Sequence, residues 1–283
     1  MLECVVNVSE GRRLDIIDEL AASCGRSLLD VHVDEDHHRS VFTLAGDVDA
    51  AAMNLERTAM RLIDISTHRG VHPRLGVVDV VPFVALSGEE TEQLRAIGAA
   101  QLHAETLANE MEVPTFLYGL AHPEGRSLPE VRRDAFTKFQ PDFGPREPHP
   151  TFGATAVGAR HVLVAINCEL ETNDLALAQR IAKSVRHAGG GLPGVRALGF
   201  PLESKNRSQV SMNLTDLTMT GVEPACTAVR DLARAAGTDV ATVELVGLLP
   251  SAQLARCSGQ FIEWTGLTAD RTIEARVSHA GLG

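Results

Sequence analysis

The stretch HVLVAINCEL, residues 161–170, decides how the chain is divided. It is a short apolar run with β-branched residues, which predicts a strand. It follows residues 120–160, which are crowded with prolines and glycines. From residue 161 the pattern predicts a strand, a helix, two strands, a helix and a strand, and then a short helix over 250–258. The six ranges are 161–170, 173–188, 194–203, 208–214, 222–236 and 240–249.

The same order of elements is predicted at the start of the chain. Strands are predicted over 2–8, 27–33, 39–45 and 77–86, and helices over 14–24 and 49–65. A further helix over 89–111 and a strand over 113–119 follow, and Pro82 is expected at a bulge or an edge. The repeated order is that of ferredoxin-like, split β-α-β domains. We therefore expect an α/β (α+β) fold of two sequential ferredoxin-like subdomains, residues 1–160 and 161–283, with a ligand cleft between them.

The composition argues against several classes of partner and site. The formal net charge of −11 is unfavourable for binding nucleic acid or an anionic membrane. The longest apolar run, residues 77–86, is far shorter than the roughly 20 residues of a membrane span. The first ten residues have no basic segment of a signal peptide, so we expect a cytoplasmic protein. The five cysteines form no CxxC pair, which argues against a disulfide framework or a cysteine zinc site and favours buried thiols.

The proline- and glycine-rich segment, residues 120–160, is either a functional loop or an interdomain linker. A short helix is predicted over 129–139. The remainder, residues 141–160, contains neither a GxxxxGK[ST] nor a GxGxxG motif, so a nucleotide-phosphate site is not supported. Its glycines allow a close approach of the backbone to a flat ligand, and Phe143 and Phe152 can stack against a ring.

The stretch HRGVHPRLG, residues 68–76, contains two histidines four positions apart. On a helix His68 and His72 could both bind zinc, but the glycine between them and Pro73 disfavour a helix, at a cost of about 3 kcal/mol for the proline alone. We therefore expect a loop and no metal. His72, flanked by Arg74, is either a proton-transfer group or a histidine bonded to loop backbone, and the spacing favours neither.

The stretch HVDEDHHR, residues 32–39, combines three histidines with three acidic residues. Such side chains can bind metals, but the stretch links two strands, and alternating side chains would point at most one of His37 and His38 inward. A solvated polar turn is the favoured interpretation. Arg39 opens the next apolar strand and could bring a guanidinium to the edge of a pocket.

Seven stretches carry patterns that occur in the same order in one known family. They are NVSEG (7–11), LLDV (28–31), DHHRSVFTLAG (36–46), LIDISTHRGVHPRLGVVDVVPF (62–83), PDFGP…TFGATAVGAR (141–160), LESKNRSQVSMNLTD (202–216) and ELVGLLP (244–250). Through them the chain resembles the glutamate formiminotransferase family from residue 2 to about residue 258. The H-x-G-x-H-P-R-x-G and VSMNLTD blocks are the specific parts of the resemblance.

The resemblance implies transfer of the formimino group of N-formimino-L-glutamate to N5 of tetrahydrofolate, a step of histidine degradation. It implies the form that lacks the cyclodeaminase domain of the bifunctional animal enzyme. The family's catalytic histidine falls on His72, and its folate-binding loop falls on residues 144–153. From that loop we expect four residues to contact folate: Gly144, Pro145, Phe152 and Gly153.

This implied chemistry gives roles to side chains outside the loop. A histidine with a pKa near 6.5 can take a proton from the folate amine and give one to the departing glutamate nitrogen. Both substrates carry carboxylates, so Arg39 and Arg74 are expected to bind them. Tetrahydrofolate is expected as co-substrate, formiminoglutamate as the second small-molecule substrate, and no metal. We expect no nucleic acid or membrane partner, and a homodimer.

Three positions depart from the pattern of the family. Val71 stands where the family has Glu, His32 where it has Asp, and His38 where it has Asn. These changes leave two alternatives open. One is a related folate-dependent formyl transfer, and the other is a folate-binding homologue without catalysis.

Overall fold

The computed structural model describes residues 1–68 and 74–282, and these form two compact units. The first unit contains Met1–His161 together with Ala280–Leu282, and the second contains Val162–His279. Each unit has its own sheet and its own buried apolar core.

The first unit is built on a sheet of six strands in the order β2-β3-β1-β4-β6-β5. Its elements along the chain are β1 (Leu2–Val8), α1 (Leu14–Ser23), β2 (Leu28–Asp34), β3 (Arg39–Ala45), α2 (Val48–Leu62), β4 (Val78–Ala85), α3 (Glu90–Met111), β5 (Thr115–Gly119), α4 (Leu128–Asp134) and β6 (Thr155–Arg160). Strand β1 pairs antiparallel with β3 and β4, and β2 pairs antiparallel with β3. This is the split β-α-β arrangement that the sequence predicts.

Strand β6 was not predicted, because its sequence TAVGAR lies in the glycine-rich segment and has weak strand character. It inserts between β4 and β5 and runs parallel to both. Gly158 is needed there because a Cβ atom would lie 2.5 Å from the ring of Tyr118 on β5. The predicted helix over 129–139 is also shorter, since α4 ends at Asp134.

Strand β4 lies in the middle of the sheet, and all eight of its residues are buried. The expectation that Pro82 marks an edge or a bulge is therefore wrong. Pro82 pairs in register with Gly158, and the register irregularity of the β1–β4 pair lies at Asn7 and Val8. Burial on both faces explains the near-continuous apolar sequence of β4 and makes its single carboxylate, Asp79, conspicuous.

Helices α2 and α3 are joined by a histidine triad, which we define as Asp49, Glu56 and His103; His103 and Glu56 are buried and Asp49 is half-exposed. His103 Nδ1 lies 2.7 Å from Asp49 Oδ1, and its Nε2 lies 3.1 Å from Glu56 Oε2. Burial would lower the pKa of His103, but Glu56 and Asp49 outweigh it and raise the pKa to about 9. The imidazole is therefore charged at pH 7.

The second unit repeats the arrangement with a four-stranded antiparallel sheet in the order β10-β7-β9-β8. Its elements are β7 (Val164–Leu170), α5 (Leu175–Val185), β8 (Val195–Leu202), β9 (Arg207–Leu214), α6 (Val222–Ala235), β10 (Val240–Val246), α7 (Ser251–Leu254), α8 (Gly259–Thr265) and α9 (Ile273–His279). The strand order matches β4-β1-β3-β2 of the first unit. The predicted fold class, two sequential ferredoxin-like subdomains of the α/β type, is therefore confirmed.

The central strand β7 of the second unit buries alternate residues in the core of that unit. In β7 the alternate residues Val164, Ile166, Cys168 and Leu170 are fully buried, as period-two burial requires.

All five cysteines are free thiols, four of them buried, as expected for small apolar side chains. Of the helices in the described ranges, none combines the length and apolarity needed to cross a membrane.

Candidate functional site

A group of three arginines surrounds the buried carboxylate of Asp79 in the first unit, and we call Arg39, Arg74, Arg132 and Asp79 the arginine cluster. Arg39 opens β3, Asp79 is the second residue of β4, and Arg132 lies on α4. Arg39 Nη2 donates to Asp79 Oδ2 over 2.9 Å, and Arg132 Nη2 donates to the same oxygen. The other oxygen of Asp79 accepts from the backbone N–H of Leu75 over 2.8 Å.

The electrostatics of the arginine cluster leave it positive. Burial would raise the pKa of Asp79, but Arg132 and Arg39 hold it below its ordinary value, so the carboxylate is ionised. Burial lowers the pKa of Arg39 to about 10, and Asp79 opposes this while Arg132 and Arg74 add to it. Burial also lowers the pKa of Arg74. At pH 7 three guanidiniums therefore share one carboxylate, which suits the binding of an anion.

Arg74 connects the arginine cluster to the histidine pair, which we define as His38 and His68. Arg74 Nη1 lies 2.9 Å from His68 Nε2, and Arg74 Nη2 donates to the carbonyl of His37 over 3.5 Å. Burial, Arg74 and His38 together lower the pKa of His68 to about 4. A neutral His68 can accept a hydrogen bond from Arg74, so it is a partner of the arginine at pH 7 rather than a competing cation.

The second member of the pair, His38, is fixed by the chain that enters α1. Its ring centroid lies 4.0 Å from that of His68, and its Nδ1 accepts from the backbone N–H of Gly11 over 3.1 Å. Its φ of 50° is left-handed, and its pKa is lowered chiefly by burial, with Glu10 opposing. Gly11 has no room for a side chain, because a Cβ atom would lie 2.2 Å from the carbonyl oxygen of Asp34.

Glu10 holds the turn at residues 11–13, which leads into α1. Its buried carboxylate accepts from the backbone N–H groups of Gly11, Arg12 and Arg13 and from Arg13 Nε. Burial would raise the pKa of Glu10, but these donors lower it. The N-terminal stretch that carries the family resemblance is therefore a rigid support under His38.

The polar stretch 32–39 is only partly the solvated turn that the sequence favours. His37 is buried, its Nδ1 lies 2.5 Å from Asp34 Oδ2, and its backbone N–H donates to Asp34 Oδ1 over 2.8 Å. His32 lies within β2, half-buried and in register with Val41 of β3. In residues 1–68 and 74–282, the histidines, cysteines and carboxylates form no group of three or more suited to a metal ion.

The glycine loop, residues 144–153, is exposed in its first part and anchored at its end. Gly144 and Pro145 are exposed, and Phe152 and Gly153 are buried. The Phe152 ring belongs to the core of the unit, so the expectation that it stacks on a ligand disagrees with the structure. Gly144 and Gly153 have left-handed φ values of 86° and 80°, and a Cβ on either would meet neighbouring backbone of the protein itself.

The end of the glycine loop contacts the chain at Ile65 and at residues 75–77, which lie before and after 69–73 in sequence. The N–H of Ile65 donates to the carbonyl of Thr151 over 2.8 Å, and the N–H of Val77 donates to the carbonyl of Phe152 over 2.8 Å. Gly76 and Gly153 form a bridge. His72 lies within 69–73, outside the described residues. The structure thus brings the end of the glycine loop close to residues 75–77, which follow Arg74 in sequence.

Sequence reasoning missed Arg132, Asp79 and Glu10 as members of this region. Asp79 carried a usable signal, because an acidic residue inside an apolar strand is rarely buried without a cationic partner. The sequence around Arg132 contained no such signal, since Arg132 is one of several charged residues on a short helix. Its neighbour Arg133 pairs with Asp134 and is mostly exposed, and nothing in the local sequence distinguishes the two.

Comparison with known proteins identifies similar chains. Residues 1–160 match the family described as the N-terminal subdomain of the formiminotransferase domain, and residues 165–283 match the formiminotransferase domain. A glutamate formimidoyltransferase of Streptococcus pyogenes serotype M1 is 37% identical over 272 residues, covering 90% of this chain and 90% of that protein. One of Thermoplasma acidophilum is 34% identical over 301 residues, covering 99% and 98%. A formimidoyltransferase-cyclodeaminase of Sus scrofa is 37% identical over 278 residues, covering 88% of this chain and 50% of that protein.

Proposed function

We propose that this chain, which belongs to the formiminotransferase family, transfers the formimino group of N-formimino-L-glutamate to N5 of tetrahydrofolate, as a step of histidine degradation. The similar proteins of S. pyogenes and T. acidophilum carry the name glutamate formimidoyltransferase and are matched over most of their length. The observation that carries the proposal is the positive arginine cluster beside the glycine loop, within a protein of net charge −11. Substrates that carry carboxylates require such a local excess of positive charge.

In the proposed reaction N5 of tetrahydrofolate attacks the formimino carbon, and a new C–N bond forms. The bond between that carbon and the glutamate nitrogen then breaks. N5 loses a proton and the departing nitrogen gains one, so one group that accepts and then donates a proton serves both steps. We assign this role to His72, because an imidazole titrates close to pH 7.

Binding of the two substrates is assigned to the arginine cluster and the glycine loop. Arg39 and Arg74 are proposed to bind carboxylates, supported by the surplus positive charge of the arginine cluster. Gly144, Pro145, Phe152 and Gly153 are proposed to form the folate loop. Burial of Phe152 and Gly153 implies that these two support the loop and that its exposed part, with Gly144 and Pro145, contacts the ligand.

The same proposal includes the division into 1–160 and 161–283, a homodimer and a cytoplasmic location. Light scattering tests the dimer.

The experiment is an assay of purified protein with formiminoglutamate and tetrahydrofolate, followed by acid conversion to the methenyl form and measurement of its absorbance. His72→Ala is expected to lower the rate by about 10²–10⁴-fold, the usual contribution of general acid–base catalysis. His279→Ala, at an exposed histidine of α9, is the matched control and should leave the rate unchanged. Absence of turnover, or an unchanged rate in His72→Ala, would contradict the proposal. Turnover of a formyl donor in place of the formimino donor would favour the related formyl transfer.

A further inference from the structure

The guanidiniums of Arg39 and Arg132 share a single carboxylate, that of Asp79. One oxygen of Asp79 accepts from both Arg39 and Arg132, and the other accepts from a backbone N–H. Both guanidiniums are largely withdrawn from solvent, with 15% and 17% of the side chain exposed. Two guanidiniums that share one carboxylate oxygen repel each other, so an additional anion beside Arg132 would be favourable.

Arg132 has donor capacity that Asp79 does not use. A guanidinium carries five N–H groups in a planar fork, and Asp79 engages Nη2. The Nε of Arg132 is buried and has no hydrogen-bond partner among the described residues. A buried donor of this kind needs an acceptor, and a carboxylate fits the fork of a guanidinium in two-point contact.

The helix that carries Arg132 is fixed in place. Ser127 and Glu130 form a capping box at the start of α4, with the N–H of Ser127 donating to Glu130 Oε2 over 2.8 Å. Val131 is fully buried in a small apolar cluster with Val80 of β4 and Phe116 of β5. The guanidinium of Arg132 is therefore presented by a rigid support, unlike that of an ordinary surface arginine.

We propose that Arg132, held beside Arg39 by the shared carboxylate of Asp79, binds a carboxylate of a glutamate moiety. This inference rests on the proposed function for the choice of ligand, since both substrates contain glutamate carboxylates. The donor carries them directly, and folate carries them on its tail. The arginine cluster recognises the chemistry that the two share, and the experiment distinguishes the sources.

The test compares Arg132→Gln with Arg133→Gln in the full chain. The control is closely matched, because Arg133 is the next residue of the same helix but is 62% exposed and pairs with Asp134. Calorimetry uses two probes, N-formyl-L-glutamate for the donor and p-aminobenzoyl-L-glutamate for the folate tail. Arg132→Gln is expected to weaken binding of one probe by about tenfold or more, as for the loss of a charge-assisted hydrogen bond. The affected probe identifies the source of the carboxylate, and Arg133→Gln should change neither.

Steady-state kinetics provides a second measurement. Arg132→Gln should raise the KM of the same substrate by a similar factor and change kcat much less, because the arginine binds a part of the substrate that does not react. Circular dichroism checks that the variant is folded. If it is not, Arg132→Lys keeps the charge but loses the fork, and unchanged binding in that folded variant would overturn the inference.

The outcomes separate this inference from the proposed function. Unchanged affinity for both probes in Arg132→Gln, equal losses in the two glutamine variants, or a wild-type protein that binds neither probe would each overturn the role of Arg132. A wild-type protein that binds a probe through Arg132 but does not transfer the formimino group would instead overturn the proposed function alone.

Discussion

The first unit contains two buried groups of charges that differ in their balance. In the arginine cluster three cations share the carboxylate of Asp79. In the histidine triad one cation, His103, lies between two carboxylates, and it joins two helices of the same unit. Both groups involve fully buried side chains, so burial alone does not distinguish a candidate site from an element of structure.

The difference between the two groups lies in the balance of cations and carboxylates within each. Both ring nitrogens of His103 lie within ion-pair distance of carboxylates of α2, Nδ1 near Asp49 and Nε2 near Glu56. Arg132 retains a buried N–H group with no acceptor among the described residues. Several cations beside one carboxylate suit an anionic ligand, whereas one cation between two carboxylates suits a stabilising contact between helices.

Replacing the shared carboxylate should have the largest effect on stability. Asp79→Asn leaves Arg39 and Arg132 buried without their counter-charge, and we expect a loss of about 3–5 kcal/mol in the free energy of unfolding. Urea denaturation measures it. Glu110→Gln, which breaks an exposed pair with Arg57, is the control and should cost no more than about 1 kcal/mol. If Asp79→Asn lost as little free energy of unfolding as Glu110→Gln, Asp79 would not be the counter-charge of buried arginines. The contrast between the arginine cluster and the histidine triad would then fail.

The histidine triad should give a stability contribution that depends on pH. The pKa of His103 is raised to about 9, above its ordinary value of 6.5, so the contribution is complete below pH 6.5 and is lost as the pH rises through about 9. We expect His103→Gln to cost roughly 3 kcal/mol at pH 6 and much less near pH 9.5. Urea denaturation across this range measures the difference.

The exposed His279→Gln serves as the control for this series. A cost of His103→Gln that stays constant between pH 6 and pH 9.5 would show that the triad acts through packing and not through charge.

The histidine pair should show the smallest change. His38→Asn keeps a side-chain acceptor for the N–H of Gly11 and tolerates the left-handed backbone at this position, so we expect a change in stability of within about 1 kcal/mol. It removes a group that lowers the pKa of His68, which should therefore rise from about 4. NMR titration of the His68 ring measures this, and an unchanged or lower pKa would contradict the described contact.

Much of the fold could be read from the sequence because its strands and helices follow simple periodicities. The strands β1 and β3 and the helices α2 and α3 lie close to their predicted ranges. Strand β6 could not be predicted, since it owes its place to pairing with β4 and β5, which are distant in sequence. The central position of Pro82 could not be predicted either, because it also depends on the pairing of β4 with β6, which is distant in sequence.

The candidate site could be read only in part. Arg39 and Arg74 were predicted, and the structure places Arg39 on Asp79 and Arg74 beside His68. Arg132 lies 53 positions from Asp79 in sequence, and a contact over that separation leaves no pattern in the local sequence. The role of Phe152 was misjudged because an aromatic residue in a glycine-rich stretch looks the same in sequence whether it faces a ligand or the core.

The insertion of β6 between β4 and β5 bears on how the first unit assembles. Residues 155–160 are made last of the three strands, so β4 and β5 must reach the sheet with a gap between them, or β5 must dock after β6. Until then β4 presents an unpaired, largely apolar edge, which is a hazard for aggregation. Since residues 151–154 lead directly into β6 and contact the chain at 65 and 75–77, the glycine loop reaches its place only when the sheet closes. A chain that stalls before this step would therefore lack the proposed folate loop as well as a finished sheet.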